Sequence, residues 1–254
     1  MHERTRRFGV VYLKEKVDVS VILCAYNEGN VIEDAVARVD NVMQRHRWSY
    51  EIVVVDDGSL DDTRLKAVKC ARAHGDGRVV VLGHERNMGK GKAVKTGFEH
   101  ARGDFVVFID GDLDVDPRAI PKFIEALGGS DVAVASKWHP QSHADMAFKR
   151  KILSFGFNVV SRIFTGVKLR DTQAGLKAFR REVLERLAPK LVVNRYAFDL
   201  ELVGACNHSG YKIVELPVHV HIDNMVGFRE VLKMAVDVLR IAYRLRILKC
   251  YQRS

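Results

Sequence analysis

Short runs of apolar residues alternate along the chain with stretches in which apolar positions recur at helical spacing. The runs Val17–Leu23, Glu51–Val55 and Val79–Leu82 are rich in Val, Ile and Leu, which predicts strands buried on both faces. Helical periodicity fills the intervals between them. This β-α-β rhythm predicts an α/β fold with a mostly parallel central sheet and helices on both faces.

Further strands are predicted at Asp131–Ala135 and Lys212–Leu216. The segments 136–145 and 168–177 are polar and predict loops. A helix is predicted to begin at Lys149-Arg150-Lys151, and packing on the sheet explains its apolar stripe as well as a functional role does. That stripe consists of Ile152, Phe155, Val159, Val160 and Ile163.

The last part of the chain, Phe228 to Lys249, predicts a basic amphipathic helix. Such a helix lies on an anionic membrane surface, docks to a partner, or packs on its own domain. Three parts are expected: a basic N-terminal extension over residues 1–16, one α/β domain over 17–226, and the amphipathic helix over 227–254.

Composition narrows the choice of class. With 41 Lys and Arg against 32 Asp and Glu, the chain carries a net charge of +9, which suits an anionic partner. Nucleic acid is not expected, because the basic residues are scattered and no recognition motif is present. The four cysteines form no CxxC pair, so neither a zinc site nor a disulfide framework is expected, and a reducing cytosol fits. The sequence has no run of 18 consecutive apolar residues, so no membrane-spanning helix is predicted.

The strand predicted at Phe105–Ile109 ends in three carboxylates at alternate positions, Asp110, Asp112 and Asp114. Ligands bind at the carboxyl ends of strands in open α/β sheets, so Asp110 and Asp112 are expected to face a crevice. Carboxylates this close repel each other, which favours a hard, oxygen-seeking cation between them. Gly111 lacks a Cβ and lets a ligand approach closely.

A second strand end and a loop that opens a helix also carry polar signals. Asp56 and Asp57 follow the second strand, and Gly89, Lys90 and Gly91 precede a predicted helix. Backbone N–H groups at a helix start, with lysine beside them, suit a phosphate. The P-loop spacing is absent, so this signal is weak when it stands alone.

Taken in order, five motifs resemble the family 2 glycosyltransferases of GT-A fold, and among them the dolichyl-phosphate hexose synthases. The resemblance covers roughly Val17 to Val218 and implies a Rossmann-like sheet. The motifs are Tyr26-Asn27-Glu28, Asp56-Asp57-Gly58-Ser59, Asn87-Met88-Gly89-Lys90-Gly91, Asp110-Gly111-Asp112 and Arg170-Asp171-Thr172-Gln173-Ala174-Gly175.

The resemblance implies a role for each matching position. Asp110 and Asp112 match the residues that bind Mg²⁺ or Mn²⁺, and Lys137 matches a basic residue near the diphosphate. The expected catalytic residues are Asp112, Lys137, Arg170 and Gln173. The residues expected to bind the nucleotide sugar are Cys24, Tyr26, Glu28, Val55, Asp57, Lys90, Asp110, Gly111, Asp112, Asp114, Lys137 and Arg229.

The acceptor implied by the resemblance is a polyprenyl phosphate, and Arg170, Gln173 and Lys177 fall in the loop that resembles the acceptor-phosphate region. The donor is UDP-glucose or GDP-mannose, since the motif around Arg170 resembles the glucosyltransferases and the one around Lys149 resembles the mannose enzymes. Only Arg229 remains of the basic residues that mannose synthases carry after the last strand. The expected location is the cytoplasmic face of a membrane, bound peripherally.

The implied reaction inverts the anomeric configuration. A metal ion at Asp112 neutralises the departing diphosphate as a Lewis acid. A lipid phosphate is already largely ionised at neutral pH, since its second pKa is about 6, so a strong general base is unnecessary. Asp199 is a candidate base, a helix cap or a partner of Arg170. The alternative function is a soluble GT-A transferase that acts on a sugar hydroxyl, which needs a base.

Overall fold

The computed structural model describes residues 6–8, 16–195, 197–222 and 228–251 of the chain. The strands in these residues are β1 (Arg6–Phe8), β2 (Val19–Ala25), β3 (Tyr50–Asp56), β4 (Val79–Gly83), β5 (Phe105–Asp110), β6 (Val132–Ser136), β7 (His143–Met146), β8 (Leu176–Arg180), β9 (Ile213–Pro217) and β10 (His219–Ile222). The helices are α1 (Ile32–Met43), α2 (Thr63–His74), α3 (Lys90–His100), α4 (Ile120–Ala126), α5 (Phe148–Thr165), α6 (Arg181–Leu187), α7 (Phe198–His208) and α8 (Phe228–Ala242).

Eight strands form one sheet in the order β1-β4-β3-β2-β5-β8-β6-β9. Six of them run in the same direction, while β1 at the edge and β8 inside the sheet run antiparallel to their neighbours. The expected α/β class with a mostly parallel sheet is confirmed. All six predicted strands are present, with boundaries displaced by one or two residues at most positions.

The sheet is buried on both faces because successive side chains of its strands point to opposite sides. Along β2, Val21 and Leu23 pack with α1, α2 and α4, whereas Ile22 packs with the cluster that includes α3, α6 and α7. Continuous apolar runs therefore form the central strands, as expected of a sheet covered by helices on both faces.

The antiparallel strand β8 was not predicted, and its first two residues, Leu176 and Lys177, lie in the segment expected to be a loop. A second departure is β7, whose first residue, His143, lies in the other expected loop. It pairs with β10 in a separate two-stranded parallel ribbon. Of the explanations left open for the apolar stripe of α5, packing on the sheet is excluded. Each residue of that stripe is exposed, and Ile152 and Ile163 are more than half exposed.

The C-terminal helix α8 packs against α5 and α7, and Val238 and Ile241 are buried. It continues as a turn of π-helix over Tyr243–Ile247. The residues 223–227, which include the expected domain boundary at 226, lie outside the described residues, as do most residues of the expected N-terminal extension. Among the described helices, none is long and apolar enough to cross a bilayer.

Candidate active site

A cavity of about 410 Å³ opens at the carboxyl ends of β2, β3, β5 and β6. Its wall brings together most of the residues that the sequence predicted for the site, although they are far apart in the chain. The predicted residues that line it are Cys24, Tyr26, Glu28, Asp57, Lys90, Asp110, Gly111, Asp112, Asp114, Lys137 and Gln173.

Three predicted residues lie elsewhere. Val55 is buried in the core beneath the sheet edge, and Arg170 is exposed, with its backbone N–H donating to the Glu215 carboxylate at 2.7 Å. Lys177 points into the interior from β8 rather than towards an acceptor loop. The side chain of Arg229 lies outside the described residues.

The centre of the cavity wall is a network of two lysines and two aspartates. Lys90 Nζ lies 2.8 Å from Asp110 Oδ1 and 3.0 Å from Asp199 Oδ2. The buried Lys177 donates to the other oxygen of Asp199 at 2.7 Å and to the backbone carbonyl of Ala174 at 2.8 Å. Two positive and two negative charges therefore balance in a site that is largely removed from water.

This arrangement explains the pKa shifts in the network. Burial alone would lower the pKa of Lys90, but Asp110 and Asp199 raise it overall. Burial likewise would raise the pKa of Asp199, but Lys177 and Lys90 hold it below its usual range. A carboxylate with a lowered pKa and both oxygens in ion pairs is a poor proton acceptor. Asp199 forms ion pairs with these two lysines and not with Arg170, so its geometry suits holding the two lysine charges in place.

Backbone contacts fix Asp110 in this network. Its N–H donates to the carbonyl of Gly175 at 3.1 Å, and the N–H of Gly111 donates to the carbonyl of Cys24 at 2.9 Å. A Cβ at Gly111 would lie 3.0 Å from that carbonyl oxygen, and a Cβ at Gly175 would collide with the Asp110 carboxylate. Close approach therefore excludes a Cβ at Gly175 without a shift of Asp110 and makes one tight at Gly111.

Negative charge accumulates beside the network. Desolvation, with repulsion from Asp112 and Asp114, raises the pKa of Glu28 to about 7. The described residues contain no group of three or more His, Cys, Asp or Glu side chains arranged to hold a metal ion. Mg²⁺ usually takes only one or two carboxylates and completes its shell with water and substrate phosphates. Asp112, with Asp110 held nearby by Lys90, fits such an ion.

The second predicted lysine, Lys137, is also paired. Its Nζ lies 2.8 Å from Oδ2 of the buried Asp171, and its backbone N–H donates to the same oxygen at 3.0 Å. Asp171 thus holds the end of β6 against the loop that precedes β8. Lys137 borders the cavity with its charge already compensated.

Two arginines in the cavity wall were not among the predicted site residues, Arg150 on α5 and Arg195 before α7. Among the residues that the structure describes, neither guanidinium has a carboxylate partner. Ser154 and Phe157 follow Arg150 at helical spacing and line the same cavity. The apolar part of this wall consists of Val115, Met146, Leu153, Phe157, Val220, Ile222 and Met234. The sequence signal for Arg150 was the run of basic residues after residue 148.

The apolar wall continues onto the protein surface. Phe148 is 77% exposed, and Ile152 and Phe155 follow it on the outer side of α5. The neighbouring α8 and its π-turn expose Leu239 and Tyr243. Exposed basic residues border these helices, namely Arg162, Arg240, Arg246 and Lys249. Large exposed apolar side chains on two helices that contact each other indicate an interaction surface.

Similarity to known proteins agrees with this geometry. Over 98% of this chain and 90% of the other, the fold superposes on glucosyl-3-phosphoglycerate synthase from Mycobacterium tuberculosis in complex with UDP, with a TM-score of 0.67 and 21% identity. The chain therefore has a GT-A-type transferase fold. Residues 20–188 match the model of glycosyl transferase family 2. The chain belongs to the family 2 glycosyltransferases.

Curated relatives lie within the same family. Glycosyltransferase AglD of Haloferax volcanii is 33% identical over 91% of this chain, which spans only 38% of AglD. The dolichyl-phosphate beta-glucosyltransferase of Homo sapiens is 30% identical over 89% of the chain and 75% of that protein. The dolichol-phosphate mannosyltransferase of Pyrococcus furiosus is 34% identical over 89% of the chain and 63% of that protein.

Proposed function

We propose that this chain transfers a hexose from a nucleoside diphosphate sugar to a polyprenyl phosphate at a membrane surface, with inversion at the anomeric carbon. The observation that carries the proposal is that one cavity is lined by two different kinds of side chain. Carboxylates and Lys90 line one part of it, while Arg150 and apolar side chains line the other. One cavity thus offers a place for a charged donor and for an acceptor that is part phosphate and part hydrocarbon.

The donor diphosphate belongs beside Asp110 and Asp112. A Mg²⁺ or Mn²⁺ ion bound there would supply Lewis-acid stabilisation of the departing diphosphate. Lys90 adds a positive charge whose position is set by Asp110 and Asp199. Because these partners are rigidly held, little reorganisation is needed as charge develops on the leaving group.

The acceptor phosphate belongs beside Arg150 and Ser154. A guanidinium without a carboxylate partner among the described residues is available for bidentate hydrogen bonds to phosphate oxygens. The adjacent Leu153 and Phe157 suit the first isoprene units, because hydrocarbon that packs against these apolar side chains leaves no polar group without a hydrogen bond. The phosphate needs no base, in agreement with the lowered pKa of Asp199.

The exposed outer side of α5 suits a lipid bilayer. Apolar side chains such as Phe148 and Ile152 can enter the headgroup boundary, while Arg162 and Arg246 attract anionic lipid. Cavity and surface meet on α5, since Leu153 both lines the cavity and is nearly half exposed. A lipid held in the membrane therefore has a short path to the carboxylates. We place the protein on the cytoplasmic face, where nucleotide sugars are available.

The test is transfer of radiolabelled sugar from UDP-glucose and, separately, from GDP-mannose to a polyprenyl phosphate in the presence of Mn²⁺. We expect labelled lipid from one donor and loss of labelling with Asp112→Asn, while circular dichroism shows a folded variant. Sugar hydroxyl acceptors are assayed in parallel. Labelling of those acceptors, with none of the lipid, would establish the soluble-transferase alternative instead.

A further inference from the structure

A buried histidine stands behind the cavity, directly after β4. His84 Nδ1 lies 2.6 Å from Asp57 Oδ1, and His84 Nε2 lies 3.0 Å from Thr96 Oγ1. Because a carboxylate can only accept, Nδ1 carries the hydrogen and donates it to Asp57. All three side chains are buried, so the imidazole is held in one orientation.

The contacts of Asp57 leave its carboxylate almost fully used. Oδ1 accepts from His84 and from the backbone N–H of Met88 at 2.9 Å, while Oδ2 accepts from the backbone N–H of Gly89 at 2.7 Å. Each carboxylate oxygen has two lone-pair positions. Within the described part of the chain, one position therefore remains, on Oδ2, and Asp57 borders the cavity.

The strand order places Asp57 at the nucleoside end of the cavity. Asp57 follows β3 and Asp110 ends β5, whereas Arg150 lies on α5, which follows β7. Strand β7 pairs with β10, directly after β9, and β9 is the edge strand on the side of β5 away from β3. Two strand spacings of about 4.8 Å separate β3 from β5. A diphosphate at Asp110 that points its sugar towards Arg150 must direct its nucleoside towards Asp57. Tyr26, between them on the cavity wall, offers an exposed ring on which a base can stack.

We propose that His84 is a specificity-determining residue that selects a uridine diphosphate sugar. Together with the backbone N–H groups of Met88 and Gly89, it leaves Asp57 one acceptor position, which fits the single ring N–H of uracil. Guanine presents two adjacent N–H groups that require both oxygens of a carboxylate. Cytosine and adenine present a ring nitrogen lone pair beside their amino group, which Asp57 would repel. The proposal rests on the nucleotide-sugar donor proposed above.

A second polar group at the nucleoside end of the cavity also suits uracil. Asn87 lines the cavity next to the residues that bond Asp57. Its amide N–H₂ can donate to one of the two carbonyls that flank the uracil ring N–H.

The direct test is calorimetric titration of the full chain with UDP and with GDP, each with Mn²⁺ and without acceptor. We expect UDP to bind at least about tenfold more tightly, because guanine would leave one donor unpaired on binding. Equal or tighter binding of GDP would overturn the proposal. This comparison uses the wild-type protein and does not depend on how any variant folds.

Variants assign the preference to His84. We expect His84→Leu to bring UDP and GDP affinities close together, since it frees one acceptor position on Oδ1 beside the one that Met88 uses. We expect His84→Asn to retain the preference, since its amide can still donate. Thr96→Val is the matched control, because it keeps the contact between His84 and Asp57. A folded His84→Leu variant with the full wild-type preference would refute the role of His84.

The two proposals fail in different ways. If UDP binds preferentially, His84→Leu removes the preference and no lipid is labelled, the selection by His84 stands and the polyprenyl phosphate acceptor is refuted. If lipid is labelled from GDP-mannose but not from UDP-glucose, the acceptor stands and the selection is refuted.

Discussion

Replacement of Asp199 by asparagine tests whether this residue anchors the charges of the cavity. The change removes the negative charge that both Lys177 and Lys90 contact, at 2.7 and 3.0 Å. Lys177 is only 2% exposed and would keep Ala174 as its remaining acceptor. Removal of one partner from a buried ion pair costs about 3–5 kcal/mol, because the other charge stays buried without compensation. We expect a loss of stability in that range.

The double variant Asp199→Asn/Lys177→Met separates charge compensation from simple loss of packing. Methionine has nearly the volume of lysine and carries no charge, so it removes the charge that Asp199→Asn leaves uncompensated. We expect the double variant to be more stable than the sum of the two single changes predicts, by at least about 1 kcal/mol. Urea denaturation followed by circular dichroism gives the three free energies of unfolding.

Two results would refute this reasoning. A loss below about 1 kcal/mol for Asp199→Asn would show that Lys177 does not depend on the charge of Asp199. Strict additivity in the double variant would show that the two side chains are not coupled. A general-base role would instead appear as a lost acidic limb in the pH profile of transfer, with stability unchanged.

Three further predictions follow from the cavity wall. Gly175→Ala should lower transfer by about 100-fold in a folded protein, because its Cβ displaces Asp110 by about 1 Å; kinetics with circular dichroism check this. The pKa of Glu28, raised to about 7, means that the folded state binds more protons between pH 4.5 and 7, so stability falls as pH rises through this window. Glu28→Gln should flatten that dependence and raise the free energy of unfolding by about 1 kcal/mol at pH 8, after allowance for solvent screening. Thermal melts of both proteins through this window and at pH 8 check this, and a parallel loss of stability in the two proteins would contradict it. Ile152→Ser should weaken flotation with anionic vesicles, whereas Leu60→Ser, also at an exposed apolar residue, should leave it unchanged; equal effects would contradict docking through α5.

The central strands could be predicted from the sequence because they are buried on both faces and therefore consist of continuous apolar runs. Strand β8 was missed although it lies inside the same sheet. It contains Lys177 and Arg180, whose charges are compensated by groups distant in the sequence. Lys177 bonds Asp199, and Arg180 donates to the carbonyls of Leu127 and Ser130. A local window of sequence cannot contain these partners.

The candidate site was predictable where residue type and strand end coincide, as at Asp110 and Asp57. It was not predictable where a helix brings a side chain from another part of the chain, as with Arg150. Helical periodicity also showed that α5 has an apolar side without showing what that side faces. His84 gave no signal, because only the fold places it behind Asp57.

The most direct test of the account is the Michaelis constant for polyprenyl phosphate in detergent, measured for wild type, Arg150→Gln and the control Arg162→Gln on the exposed side of the same helix. Loss of a charged hydrogen bond to phosphate costs about 1.5–3 kcal/mol. We therefore predict a rise of at least tenfold for Arg150→Gln, with the constant for the nucleotide sugar unchanged, and wild-type values for Arg162→Gln. An unchanged lipid constant in a folded Arg150→Gln variant would contradict the assignment of this cavity to the lipid phosphate.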